Sequence, residues 1–231
     1  MADEKYLNIP VQLLEGFLVD KQVVLNNICD YAIYAHSLKL EDGTEEECFA
    51  SAADFYKITY QKVIIKKRFK NAKELYDYLP ENSPKVGLNL SRFWDYYKNH
   101  KKEFEIACLL AYLAIKSILG KKSYCKMDNK FLLARMDGKT HSCAFDELSD
   151  EVFKYANEYQ TKKIKNALSD TWGLVTYSYH TRGFWVSFKL SLDDLVFEAE
   201  KRREAVKEKQ RKEEIKSARD KALERLNKSR P

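Results

Sequence analysis

The sequence of 231 residues has little glycine and proline, with seven and four residues respectively, and only three methionines. Low glycine and proline exclude collagen-like and low-complexity chains and favour long helices. The longest apolar run, residues 106–115, ends at Lys116, well short of the ~20 residues that a bilayer-spanning helix needs. The first residues are polar and lack the apolar segment of a signal peptide, so we expect a cytoplasmic protein without a membrane span.

The cysteines are too few and too scattered for a disulfide framework. There are five, an odd number, and none forms a Cys-x-x-Cys pair, which favours reduced thiols. Cys125, His141 and Cys143 could approach one zinc ion, but a fourth ligand would have to come from far away, so ordinary thiols and a surface histidine are expected. Neither Gly-x-Ser-x-Gly nor His-Glu-x-x-His occurs, and we expect neither catalysis nor a cofactor.

Charge is abundant instead, with 41 basic and 35 acidic residues and a formal net charge of +6. The C-terminal segment, residues 198–231, carries 13 basic and 8 acidic residues and few apolar ones. Pairs at i,i+4, such as Glu208 with Lys212, predict a helix that needs no core. Its thin apolar stripe leaves open whether this helix serves a homodimer, a protein partner or neither.

Glycine and proline divide the chain into units. Residues 80–87 concentrate both and predict a linker between a helical N-terminal domain, residues 1–79, and a second domain, residues 88–192. A charged C-terminal helix or tail, residues 193–231, follows. The fold class predicted is mainly α, with a small β ribbon in the second domain.

Capping residues predict the helices of the N-terminal domain. Asp20 begins a helix that extends to about Leu38, and Thr44 with Glu47 forms a capping box for the next one. Asn71 with Glu74 marks a third start, and Pro80 stops that helix.

The second domain is predicted as helices followed by a ribbon. The predicted helices cover residues 104–119, 129–136, 146–159 and 161–172. Tyr159 is expected to face inward, and residues 122–126 are extended between the first two helices. Residues 174–180 and 184–190 then read as two strands around a turn. Alternation in the second strand predicts one buried face and one wet face.

Residues 103–190 resemble a winged-helix DNA-binding domain, in which a helix-turn-helix is followed by a β-hairpin wing. The matching segments are residues 131–135, 161–168, 172–174 and the hairpin, whereas residues 138–158 form a longer connection than usual. With its helical leading domain, the chain is more loosely similar to phage and plasmid replication initiators and regulators. The resemblance implies double-stranded DNA binding in replication initiation or transcription regulation, in a phage or another mobile element.

The residues themselves suggest the same partner. With Ile164, Leu168 and Trp172 inward, one face of the 161–172 helix carries lysine and amide groups that suit base edges and phosphates. The residues predicted to contact DNA are Lys162, Lys163, Lys165, Asn166, Ser169, Arg182 at the hairpin tip, and Lys189. Lys66, Lys67, Arg68 and Lys70 form a secondary basic patch, for which a solvated helix face is an equal explanation.

A second interpretation stays open. Winged helices also serve as protein-interaction modules, and Glu158 and Asp170 near the predicted contact face weaken phosphate attraction. The alternative function is therefore a protein-protein interaction or virion-structural module that does not bind nucleic acid.

Overall fold

The computed structural model describes residues 5–179 and 183–228, and these are mainly helical with two small antiparallel sheets. The helices are α1 Lys21–Ser37, α2 Glu45–Phe55, α3 Lys62–Tyr78, α4 Leu90–Lys98, α5 Glu103–Leu119, α6 Asn129–Met136, α7 Asp150–Phe153, α8 Glu158–Trp172 and α9 Leu192–Lys228. The strands are β1 Tyr6–Pro10, β2 Lys85–Asn89, β3 Tyr124–Met127, β4 Val175–Tyr177 and β5 Phe184–Ser187. Within these ranges every helix lacks the combined length and apolar character needed to cross a bilayer.

Two predicted helix starts are confirmed by their caps. The Asp20 carboxylate accepts hydrogen bonds from the backbone N–H groups of Gln22 and Val23 at 3.0 Å, which satisfies donors left open at the start of α1. At α2, the Thr44 hydroxyl accepts from the Glu47 N–H, and the Glu47 carboxylate accepts from the Thr44 N–H at 2.8 Å. The local sequence therefore determines where both helices begin.

The predicted start of the third helix at Asn71 is wrong, because α3 begins nine residues earlier at Lys62. Ile65, Phe69 and Ala72 pack against the core at helical spacing, so the helix passes through Asn71 without interruption. A polar residue followed by a glutamate three positions later is therefore not a cap here.

A small sheet that the sequence patterns do not predict joins β1 to β2. The register pairs Tyr6 with Asn89 and Pro10 with Lys85, and the inward residues of both strands are buried. Residues 80–87, predicted as a linker, thus contain a turn and the first three residues of β2.

The second sheet has three strands in the order β3-β5-β4, where the sequence predicts a two-stranded ribbon. The extended segment before α6 supplies the third strand, since Cys125 lies opposite Val186 and Met127 opposite Phe184. These side chains form the buried face of the sheet. The tip residues 180–182, including Arg182, lie outside the described residues.

The connection before α8 differs from the predicted helix over residues 146–159. A 3-10 turn, Phe145–Glu147, and the short α7 occupy its first part, and α8 begins at Glu158. The restart has a local cause, because the Asn157 side chain accepts a hydrogen bond from the Gln160 N–H at 2.9 Å. Tyr159, predicted inward, is instead 72% exposed.

Helix α5 lies at the centre of one continuous apolar core. It contacts β2 in the first sheet, β3 in the second, and the helices α6 and α8. Its central residues, such as Leu109 and Leu113, are fully buried. The elements that carry the candidate site are therefore packed onto the same helix.

Helix α9 starts on the second sheet and then leaves it. Leu195 and Ala199 are buried where α9 contacts β4 and β5, while residues 204–221 are exposed on every side. The hairpin face predicted to be wet is thus covered in part by the first turns of α9. Tyr124 on that face donates to Glu198 at 2.8 Å.

Candidate nucleic-acid interface

Helix α8 has one buried side and one exposed side. Thr161, Ile164 and Leu168 are buried against the core, and Gly173 ends the helix in the left-handed conformation, with φ of 66°. The exposed side carries Lys162, Asn166 and Ser169, as the sequence predicts. Local periodicity is enough to orient this helix because its apolar spacing is regular.

The predicted contact residues on the exposed side of α8 have free polar groups. Among the described residues, the side chains of Lys162, Asn166 and Ser169 form no hydrogen bond or ion pair with the protein. Glu158 and Asp170 lie on the same exposed side, so the face mixes cationic, amide and acidic groups. Its middle, around Lys162 and Asn166, is the part best suited to base edges.

The two neighbouring lysines behave differently from Lys162. The ammonium of Lys163 lies 4.5 Å from the centre of the Phe104 ring at the start of α5, and the residue stays exposed. Lys165 is half-buried, and burial lowers the pKa of its ammonium group. The sequence predicts a DNA contact for Lys165, but its side chain turns toward the protein.

Lys165 joins α8 to the ribbon. Its ammonium lies 4.0 Å from the centre of the Phe184 ring, in the first residue of β5, and donates to the Asn129 side chain at 3.3 Å. The contact places the base of the ribbon beside the middle of α8. Arg182 lies two residues before Phe184, outside the described residues.

The rest of the ribbon contributes less to this face. Gly183 has φ of 89°, and a Cβ there would lie 2.6 Å from the Met127 carbonyl oxygen, so only glycine fits. Lys189 is exposed beyond the end of β5, where its backbone N–H donates to the Ser187 hydroxyl at 2.9 Å. Lys126, which is not among the residues that the sequence predicts to contact DNA, lies next to Gly183. The alternation of residues 124–127 could have placed it on the outer face of β3.

A cation-aromatic cluster lies at the other end of α8. Trp172 stacks on Tyr112 with ring centres 5.3 Å apart, and the guanidinium of Arg92 lies 5.1 Å from the Trp172 ring. The indole nitrogen of Trp172 is buried and has no partner among the described residues. No local pattern marks Arg92, because α4 and α8 meet only in the folded chain.

The secondary basic patch on α3 is partly neutralised. Lys66 lies 4.0 Å from a Glu46 carboxylate oxygen, and Lys70 lies 3.7 Å from Glu74. Arg68 points into the protein, where it binds Asp30. Lys67 is exposed and has no ion pair in the described ranges. The structure therefore does not bring these four residues together as one cationic surface.

Residues that bind metals are not clustered. In residues 5–179 and 183–228, no group of three or more His, Cys, Asp or Glu side chains could hold an ion. All five cysteines lie within the described residues, and none is paired in a disulfide. Cys125 is buried in the second sheet, whereas His141 is exposed and its ring nitrogen lies 2.8 Å from the Thr140 hydroxyl.

Comparison of the chain with family models, with curated proteins and with solved structures finds no match. Function is therefore inferred from the exposed face of α8, the adjoining ribbon and their charges.

Proposed function

We propose that the chain binds double-stranded DNA through the exposed face of α8, with the ribbon tip on the adjacent backbone or minor groove. Lys162 and Asn166 are assigned to base edges in the major groove, Lys163 and Arg182 to phosphate or minor-groove contacts, and Ser169 to a phosphate. The biological role proposed is replication initiation or transcription regulation, without catalysis.

The observation that carries this proposal is the Lys165–Phe184 contact. The contact holds the base of the ribbon, at Phe184, against Lys165 in the middle of α8, the helix that carries the exposed lysine and amide groups. Two elements that reach one duplex together give a larger contact than a helix alone. Glu158 and Asp170 reduce the attraction at the two ends of the face.

The order of elements supports a winged-helix assignment for this unit. Helices α6 and α8 correspond to the two helices of the helix-turn-helix, and β4 with β5 to the wing. The 3-10 turn and α7 lie in the longer connection between those helices.

The test is a gel-shift titration of the full chain with random duplex DNA at two ionic strengths. Lys162→Ala and Arg182→Ala are each expected to weaken binding, and loss of the phosphate contact assigned to Arg182 reduces the steepness of log K against log salt by about 0.9. Asn166→Ala is expected to weaken binding with little change in slope, since it removes a base contact.

The matched control is Lys121→Ala. Lys121 is exposed and follows the C-terminal end of α5, whereas Lys163 contacts Phe104 near the N-terminal end of the same helix. Loss of the Lys121 side chain should change the affinity for duplex DNA less than twofold. Unchanged affinity in Lys162→Ala and Arg182→Ala, or equal weakening in Lys121→Ala, would contradict the proposal.

A protein-interaction module is the second candidate function. Phe153 and Tyr159 are exposed large side chains that lie close in sequence to the acidic Glu158. This function is supported if a protein co-purifies with the chain, if Tyr159→Ala releases it, and if retention on DNA is absent at low salt.

A further inference from the structure

A groove lies between the outer face of the second sheet and α9. Its floor is a row across the strands, because the register pairs Lys126 with Trp185 and Trp185 with Tyr177. Cross-strand partners project from the same face of a sheet. Its wall is formed by α9 between Ala199 and Gln210, and the groove encloses about 600 Å³. This is a volume typical of ligand pockets.

The groove exists because the sheet-facing side of α9 changes character along its length. Leu195 and Ala199 are buried against the sheet. One and two turns later the same side carries Arg202 and Val206, both of which line the groove. Val206 is 55% exposed although it faces the sheet across the groove. An apolar side chain and cations that face open space mark a surface where an occupant could bury further area.

The lining of this groove is strongly cationic. Among the described residues, its charged side chains are Lys126, Arg202, Arg203, Lys207 and a single carboxylate, Glu200. That carboxylate accepts a hydrogen bond from the Tyr177 hydroxyl at 2.8 Å and lies 2.7 Å from the Arg203 guanidinium. Its charge is therefore compensated inside the protein, which leaves an excess of positive charge for an anionic occupant.

The cations of the groove are combined with aromatic rings. The guanidinium of Arg202 lies 4.9 Å from the Tyr124 ring centre and 5.7 Å from that of Trp185. The guanidinium of Arg203 lies 4.4 Å from the Tyr179 ring centre, and its Nε is buried without a partner among the described residues. Aromatic rings and guanidinium planes are the groups on which unpaired bases stack.

We propose that this groove binds single-stranded nucleic acid. Tyr179 and Trp185 offer ring surface to unpaired bases, and Arg202 and Lys207 pair with phosphates. A duplex keeps its base faces stacked inside and would use only the cations, so the aromatic component favours a single strand. This site goes beyond the duplex contact at α8 and does not depend on it.

The test uses the full chain, a fluorescein-labelled oligo(dT) strand, fluorescence anisotropy and tryptophan emission. Binding is expected to quench the emission, and Trp185→Phe should remove most of the quench while the chain stays folded. Tyr179→Ala should weaken binding about fivefold or more, which corresponds to the loss of one stacked base.

Matched charge reversals on α9 separate the groove from general attraction. Lys207→Glu should weaken oligo(dT) binding about tenfold or more, because it removes a phosphate contact and adds repulsion. Lys201→Glu makes the same charge change at an exposed position that does not line the groove, and should change binding less than twofold. Lys162→Ala should leave oligo(dT) binding unchanged, so failure of the duplex proposal and failure of this one can be distinguished.

Four outcomes would overturn the proposal. These are absence of oligo(dT) binding, equal weakening by Lys207→Glu and Lys201→Glu, no effect of Tyr179→Ala, and equal competition by unlabelled duplex. If polyglutamate displaces oligo(dT) and binds with equal affinity, the groove would instead be assigned to an acidic protein segment.

Discussion

The Arg68 guanidinium donates a hydrogen bond to the Asp30 carboxylate at 2.9 Å and so joins α3 to α1. Asp30 is only 3% exposed, and the Tyr60 hydroxyl donates to its other oxygen, also at 2.9 Å. Burial raises the pKa of Asp30, while Arg68 and Tyr60 oppose that shift. Arg68 therefore compensates a buried negative charge.

Replacing Arg68 should destabilise the fold. Arg68→Ala leaves the Asp30 carboxylate buried, with the Tyr60 hydroxyl as its one remaining donor among the described residues, and removal of one partner of a buried pair costs about 3 kcal/mol. Urea denaturation followed by far-ultraviolet circular dichroism measures the loss. The control is Lys70→Ala on the same helix, where an exposed i,i+4 pair with Glu74 contributes about 0.5 kcal/mol or less. Equal losses of stability in the two variants would show that the buried pair stabilises the fold no more than the exposed pair does.

The ribbon should tolerate no side chain at Gly183. Gly183→Ala combines a left-handed φ with a 2.6 Å approach to the Met127 carbonyl oxygen, so we expect a loss of about 2 kcal/mol or more. Gly173→Ala is the matched substitution, because φ there is 66° and nothing lies within 4 Å of the added carbon. It should cost about 1 kcal/mol. Thermal unfolding compares the stability of the two variants. A larger loss in Gly173→Ala than in Gly183→Ala would contradict the close contact at Gly183.

The cap of α8 should matter for stability, whereas its exposed face should not. Asn157→Ala removes the acceptor for the Gln160 N–H and should cost about 1 kcal/mol in the free energy of unfolding. Asn166→Ala, on the exposed side of the same helix, should change stability by less than about 0.5 kcal/mol. If Asn166→Ala unfolds the chain, its effect on DNA binding cannot be assigned to a lost contact.

Lys165 should make folding stability depend on alkaline pH. Because burial lowers its pKa in the folded state, the folded chain binds fewer protons than the unfolded chain between the lowered and the ordinary pKa. The contribution of Lys165 to stability therefore rises as pH increases through that interval. Lys165→Met removes this contribution, so the wild type should gain stability relative to the variant between neutral pH and about pH 10. Parallel urea curves at several pH values measure the difference, and a constant gap would contradict the burial effect.

Features set by nearby residues could be predicted from the sequence. Asp20 and Thr44 cap the helices expected of them, because a cap depends on residues two or three positions away. The inward and outward sides of α8 follow from the spacing of Ile164 and Leu168 in the same way. The mainly helical fold class depends on signals of this kind.

Features set by distant residues could not be predicted. The β1 strand is recognisable only through its partner β2, and β3 gains its role from pairing with β5. The sequence places Lys165 and Arg68 among exposed cations, but Phe184 and Asp30 draw both side chains inward. The groove beside α9 likewise needs the sheet register and the helix together. Three of its cations, Arg202, Arg203 and Lys207, belong to the charged C-terminal segment, which the sequence predicts as a solvated or partner-binding helix.

The pairing of β1 with β2 also affects how the protein unfolds. Because β2 pairs with β1 and packs against α5, a protease cut after Pro80 would place the two paired strands on different fragments. Each fragment would then lack the strand with which its own strand forms hydrogen bonds. Neither fragment is then expected to survive alone. Calorimetry of the intact chain should record a single cooperative melting event, in which the α8 face and the first sheet are lost together.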